Sequence, residues 1–159
     1  MLSPDDIKKQ LADSRAYLEA TLAHIGPDQW KTQVQSEGER WTVRQVLSHL
    51  LDAEKGLTGQ MKRLQAGKPT IPDDFDLDRW NRGAVRRLSE LTPEQLIAGL
   101  SESRAALNAF VDGLAADDLQ KEGRHTIAGI IPLWRFLQIV AEHEKTHAAD
   151  IRAALGLEK

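Results

Sequence analysis

The sequence predicts an all-α protein, a four-helix bundle, and three observations carry that reading. Apolar residues recur at steps of three, four and seven along four long stretches. Strong helix-start signals stand ahead of three of them. No stretch alternates with period two for long enough to suggest a sheet. With 159 residues the chain has the length of one ordinary domain, taken as residues 1–159. Long amphipathic helices in such a domain must bury their stripes against one another.

The first helix opens at Ser3-Pro4-Asp5-Asp6, a cap hydroxyl followed by proline and two acids. Its stripe is Ile7, Leu11, Leu18, Leu22 and Ile25, and Gly26-Pro27 ends it. The second begins at Thr42, with Gln45 three residues on as a capping box and Trp41 ahead of it as a staple on Val46. It continues through Val43, Val46, Leu47, Leu50, Leu57, Met61 and Leu64 to Gly67-Lys68-Pro69. An acidic, proline-broken connection follows from Thr70 to Asn81, with a short helix near Asp78 to Leu88. Thr92-Pro93-Glu94-Gln95 starts the third long helix, which carries Leu96, Leu100, Leu107, Val111 and Leu114. The last runs from about Pro132 to Leu155, before Gly156. Thr126 to Ile131 is locally ambiguous, and Gly129 within it weakens a strand assignment. No internal repeat is evident.

Composition narrows the function classes. A net charge of −3 and a pI near 6.0 argue against nucleic acid as a partner. No apolar run is long enough to span a bilayer, and Met1 to Asp6 lacks the basic-then-apolar pattern of a secretory signal. Cysteine is absent, which removes thiolate ligands and thiol nucleophiles and fits a reducing cytoplasm. A cytoplasmic protein acting on a small molecule, with no membrane or nucleic-acid partner, is the expectation.

The most informative stretch is Phe136, Val140, His143, His147, Ile151 and Ala154, whose spacings trace one face of the last helix. That face is apolar on either side of the two histidines, so both point into the bundle. Imidazoles at i and i+4 stand one turn apart, within reach of a common ion. His49, on or beside the inward face of the second helix, offers a third donor. Gly56, one turn beyond Ala53, leaves room on that face for a ligand. Two readings stand at this point. Each inward histidine is a core residue with its own hydrogen-bond partner, or the three together hold a divalent metal. His24, in the last turn of the first helix, and His125, in a polar connection, read as structural.

His143-Glu144-Lys145-Thr146-His147 also spells H-E-x-x-H, the zinc-protease pattern. The extended protease signature places a further histidine where Ala153 stands, and few residues follow His147 to supply another ligand. Protease chemistry is therefore not the expectation. Glu144 is left with two readings, a proton-transfer or ligand-orienting group and a solvent-facing helix carboxylate.

Three blocks of sequence together resemble the DinB-like (YfiT-type) four-helix metalloproteins. They are Trp41-Thr42-Val43-Arg44-Gln45-Val46-Leu47-Ser48-His49-Leu50, Asp76-Leu77-Asp78-Arg79-Trp80-Asn81, and His143 to Arg152. The resemblance implies an up-down-down-up bundle with a long crossover between helices two and three. It implies a divalent-metal site, zinc or nickel, with His49, His143 and His147 as ligands. It further implies thiol-dependent S-transferase or isomerase chemistry, in which a low-molecular-weight thiol is the co-substrate, and a homodimer. The glutamine usual shortly after the last histidine is not evident, and Asp150 lies in that area.

Two functional classes follow. In the first, the metal activates a thiol or water for attack on a small electrophile. There Asp52 or Glu144 orients ligands, Trp80 forms an apolar wall and Asn81 a hydrogen-bonding handle at the pocket mouth. Arg40 and Arg44 read as solvated charges. In the second class the ion ties two helices together in a non-catalytic, stress-associated module. A fourth protein ligand favours the second, and an open position facing a cavity favours the first.

Overall fold

Helix capping and two short turns set the architecture. The computed structural model describes residues 2–157. Four long helices are α1 (Pro4–Leu22), α2 (Val43–Gln65), α4 (Pro93–Asp112) and α5 (Leu133–Leu155), with a shorter α3 (Leu77–Arg87) between α2 and α4. Each cap read from the sequence forms. The Ser3, Thr42 and Thr92 side chains accept from the backbone N–H three residues on, and Asp6, Gln45 and Gln95 reach back. Gly156 ends α5 in the left-handed region at φ 68°. None of the helices among the described residues is long and apolar enough to cross a membrane.

Two expectations are corrected. Strands are present: β1 (Gln33–Ser36) pairs antiparallel with β2 (Glu39–Thr42), and β3 (Glu122–His125) with β4 (Gly129–Pro132). Each strand has only four residues, too few for alternation to register against the helical background. A repeat is present as well. The order helix, 3₁₀ turn, hairpin, helix occurs once before α3 and once after it. Its sequence trace is faint: Ser14-Arg15 on α1 matches Ser103-Arg104 on α4, and Glu54-Lys55 matches Glu144-Lys145. His24 lies just past the end of α1 rather than within its last turn.

The core divides into two apolar clusters. One holds Ile7 and Leu11 of α1, Met61 and Leu64 of α2, Leu107 and Val111 of α4, and Phe136, Leu137 and Val140 of α5. The other holds Leu18, Val46, Leu47, Leu50, Leu96, Leu100, Ala148 and Ile151, with Val34 and Trp41 of the first hairpin. Between them, one buried charge per long helix forms a closed polar layer: Arg15, Glu54, Arg104 and Glu144. Arg15 donates from Nε to Glu144 at 3.0 Å and from Nη2 to Glu54 at 3.1 Å. Arg104 donates from Nε to Glu54 at 2.6 Å and from Nη2 to Glu144 at 3.2 Å. Each guanidinium also reaches a main-chain carbonyl, Leu100 for Arg15 and Leu11 for Arg104. Ser14 and Ser103 complete the two carboxylates. Two charges of each sign balance, and the guanidinium forks fit one relative height of the four helices.

Removing one partner of such a layer leaves an uncompensated buried charge. Arg104→Leu is expected to lower the unfolding free energy by about 3–5 kcal/mol, measured as a lower urea midpoint with an unchanged denaturant slope.

Candidate metal centre

The last helix presents His143 and His147 one turn apart, and α2 brings His49 across from them. The His49 and His143 Nε2 atoms are 3.0 Å apart, as are those of His143 and His147. All three rings lie edge-on to one another at 4.4–4.9 Å between centroids. Donors held at about 2.0–2.1 Å from one ion, on neighbouring positions, stand roughly 3 Å apart. The three imidazoles therefore have the spacing of adjacent ligands. A fourth donor joins them that the sequence reading did not find. Glu37 places Oε1 at 3.0 Å from His143 and 3.1 Å from His147, and Oε2 at 3.3 Å from His49. The four residues form one group with metal-ligand chemistry among the described residues.

The surroundings prepare two of the rings as ligands. Ser36 donates its hydroxyl proton to Asp150 at 2.5 Å, so its oxygen accepts from His147 Nδ1 at 2.7 Å. That bond puts the His147 proton on Nδ1 and leaves the Nε2 lone pair facing the cluster. Asp150 thus acts on the site through Ser36. His49 is buried beside Trp41, with ring centroids 4.8 Å apart. Burial lowers its pKa, opposed by Glu37 and reinforced by His143 and His147, so the ring is neutral at pH 7 as ligation requires. Its Nδ1 is buried with no hydrogen-bond partner among the described residues. For Glu37, burial pushes the carboxyl pKa up, but the His143, His147 and His49 rings against it outweigh that and hold the group well below the usual range.

Glu37 and Gly38 form the two-residue turn between β1 and β2, with φ of 51° and 77°. Glu37 is the one non-glycine residue with positive φ among those described. Such turns favour Asn-Gly, so a glutamate there is held against its preference, as strained residues at functional sites often are. A Glu-Gly pair between four-residue strands was the available signal, and it is a faint one.

Beside the cluster lies a cavity of about 380 Å³, lined by Glu37, His49 and His143 at one side and by residues of α2, α3 and the second hairpin elsewhere. Its size is that of small-molecule sites. Trp80 and Asn81 both line it. Trp80 is 45% exposed, stands 5.8 Å from Phe75 and donates to Asp52 at 2.8 Å, with Arg87 over its ring. Asp52 therefore anchors the wall rather than the cluster. Gly56 also lines the cavity, and a Cβ added there would meet nothing within 4 Å.

Glu144 corrects both readings made of it. It is neither solvent-facing nor aimed at the imidazoles: Arg15, Arg104 and Ser14 engage its two oxygens in the interior. A proton-transfer role does not fit that placement. Arg44 is no free surface charge either, since its guanidinium caps the carbonyls of Leu88, Ser89 and Leu91. His125, expected in a loop, ends β3 and lines the cavity.

The model of the DinB superfamily matches residues 10–151. The chain belongs to the DinB superfamily. Two proteins of Oceanobacillus iheyensis resemble this DinB chain in sequence. "Putative metal-dependent hydrolase OB0413" is 27% identical over 73% of the chain, which spans 65% of that relative's length. "Putative metal-dependent hydrolase OB0782" is 25% identical over 89% of the chain and 80% of that relative. Among solved structures, YfiT from Bacillus subtilis, described as a probable metal-dependent hydrolase with an unusual four-helix bundle topology, superposes with a TM-score of 0.74 at 22% identity, covering 99% of this chain and 92% of that one. A mycothiol-dependent maleylpyruvate isomerase superposes at 0.75 with 18% identity over 95% of this chain and 63% of that one. At these identities the structural likeness establishes the fold.

Ser36→Ala should weaken divalent-metal affinity about 10–100-fold, read by competition with a chromogenic chelator. Glu144→Gln, by contrast, should lower the melting temperature while keeping the wild-type metal stoichiometry, read by elemental analysis. Gly56→Ala is expected to raise stability by about 0.5–1 kcal/mol, because the methyl meets only cavity space and the helix gains a better former.

Proposed function

We propose that this DinB chain is a divalent-metal enzyme that transfers a low-molecular-weight thiol to, or isomerises, a small molecule bound in the cavity. The observation that carries the proposal is the convergence of the three imidazoles beside a mostly apolar cavity. Imidazole-only ligation suits zinc or nickel and leaves positions for a substrate. When bound there, such an ion supplies Lewis acidity that lowers the pKa of a coordinated thiol or water. The remaining work falls to the chain itself. His49, His143 and His147 hold the ion, and Ser36 with Asp150 fixes the His147 tautomer. Trp80, Phe75 and Leu57 shed water from the substrate, and Asn81 offers it a hydrogen bond. Glu37, a carboxylate beside all three imidazoles, is placed to take up a proton from a thiol as it binds. The metal dependence in the names of the Oceanobacillus relatives and the thiol dependence of the isomerase support this reading.

The helices are read as up-down-down-up, with the crossover running through α3. Support comes from the order in which each helix meets the two apolar clusters, which is alike in α1 and α5 and reversed in α2 and α4.

Glu37 is also the observation that favours a closed, non-catalytic site, since it supplies a fourth protein donor. Against that, it stands on an exposed two-residue turn and is displaced more readily than a helix residue. The test is conjugation of a panel of low-molecular-weight thiols to a chromogenic electrophile by zinc- and nickel-loaded protein. Turnover that His49→Ala abolishes is expected. Metal-loaded protein no more active than His49→Ala would leave the closed structural site.

A further inference from the structure

The cavity has a polar end that the imidazole cluster does not use. Along α2 one strip of residues, His49, Ala53, Gly56, Gln60 and Arg63, lines it. Eleven positions separate His49 from Gln60, about 16 Å of helix. The second hairpin closes this far end. Its β3 strand packs on the end of α2, where a Cβ at Gly123 would lie 3.1 Å from Leu64. The connection before α3 is fastened to the same strand, by Thr70 Oγ1 donating to the Arg124 carbonyl at 2.6 Å and by Arg124 paired with Asp73 at 2.9 Å.

Two polar side chains at this end, His125 and Gln60, each have an atom with no hydrogen-bond partner among the described residues. His125 is 8% exposed, and its Nδ1 accepts from the Ile127 and Ala128 amides at 3.1 Å each. The ring proton is therefore on Nε2, which donates to no described residue. Burial, then the nearby Arg135 and His143, keep the ring neutral, so it is a fixed N–H donor rather than a switchable charge. Gln60 belongs to the same lining, and its amide oxygen is buried with no hydrogen-bond partner among the described residues. The NH₂ of the same amide is its donor toward a ligand. Arg63, whose Nε is held by the Pro69 carbonyl at 2.7 Å, brings a positive charge to the rim. Three groups that can donate, beside one cavity, match an acceptor on a ligand.

We propose that this far end binds the carboxylate of an elongated, otherwise apolar small-molecule substrate. His125 Nε2 and the Gln60 amide donate to its oxygens, Arg63 supplies the countercharge, and the body lies against Leu57, Phe75 and Trp80. The substrate's reacting atoms then face the imidazoles. The inference rests on the cavity being a small-molecule site but not on the ion, so it is tested on metal-free protein, where its failure is separate from failure of the metal-enzyme reading.

The experiment is calorimetric titration of chelator-treated wild-type protein with 4-phenylbutyrate and with 4-phenyl-1-butanol, which share a body and differ in the acid. The acid is expected to bind at least about tenfold tighter than the alcohol. Gln60→Leu, which removes an unpartnered oxygen and so keeps the melting temperature, should shrink that preference, as should His125→Ala. His49→Ala should keep it. Absence of binding, a wild type without preference, or a preference that survives both Gln60→Leu and His125→Ala would overturn the proposal. So would a preference lost in His49→Ala, because the carboxylate would then be at the imidazoles.

Discussion

Four buried charges, one from each long helix, are the constraint on which the rest of the molecule depends. Arg15 and Arg104 fork between Glu54 and Glu144, and each also holds a carbonyl of the helix facing it. Burying ions costs desolvation that their attraction little more than offsets, so the layer adds register more than net stability. The apolar clusters above and below would tolerate a helix sliding or turning by part of a residue; the guanidinium forks would not. With Glu144 held inward, His143 and His147 are placed on the same arc of α5, one at the cavity edge and one fully buried. Glu54 does the same for α2, and His49 meets them.

The two halves of the chain share a plan and have diverged at their hairpins. In the first, a two-residue turn carries Glu37 over the imidazoles, and Ser36 beside it orients His147. In the second, a turn longer by one residue carries no acid, and His125 takes the place at the strand end. One hairpin therefore finishes the ion end of the cavity and the other finishes the far end. Helix α2 is the wall common to both ends.

Much of this was legible in the chain, and what was missed has physical causes. Every long helix was located by its stripe, and three of the four by their caps as well, because capping boxes and proline at the first helical position are local chemistry. The inward direction of His49, His143 and His147 followed from periodicity. Their meeting at 3.0 Å did not, since that depends on the relative height of two helices. Glu144 was misread because its partners, Arg15 and Arg104, lie about 130 and 40 positions away and nothing local advertises them. Glu37 escaped because four-residue strands are too short to show alternation and its turn lacks the favoured asparagine. Asp150 stood out in the sequence only as a departure, and its link through Ser36 to His147 is a contact across the fold.

The central claim is that one ion is held by imidazoles from α2 and α5 together, beside a cavity. X-ray absorption fine structure at the metal edge of zinc- or nickel-loaded protein tests it most directly. The account predicts a first shell with three imidazole nitrogens at about 2.0–2.1 Å, completed by oxygen donors. A shell with one imidazole or none, or protein that takes up no metal, would contradict it.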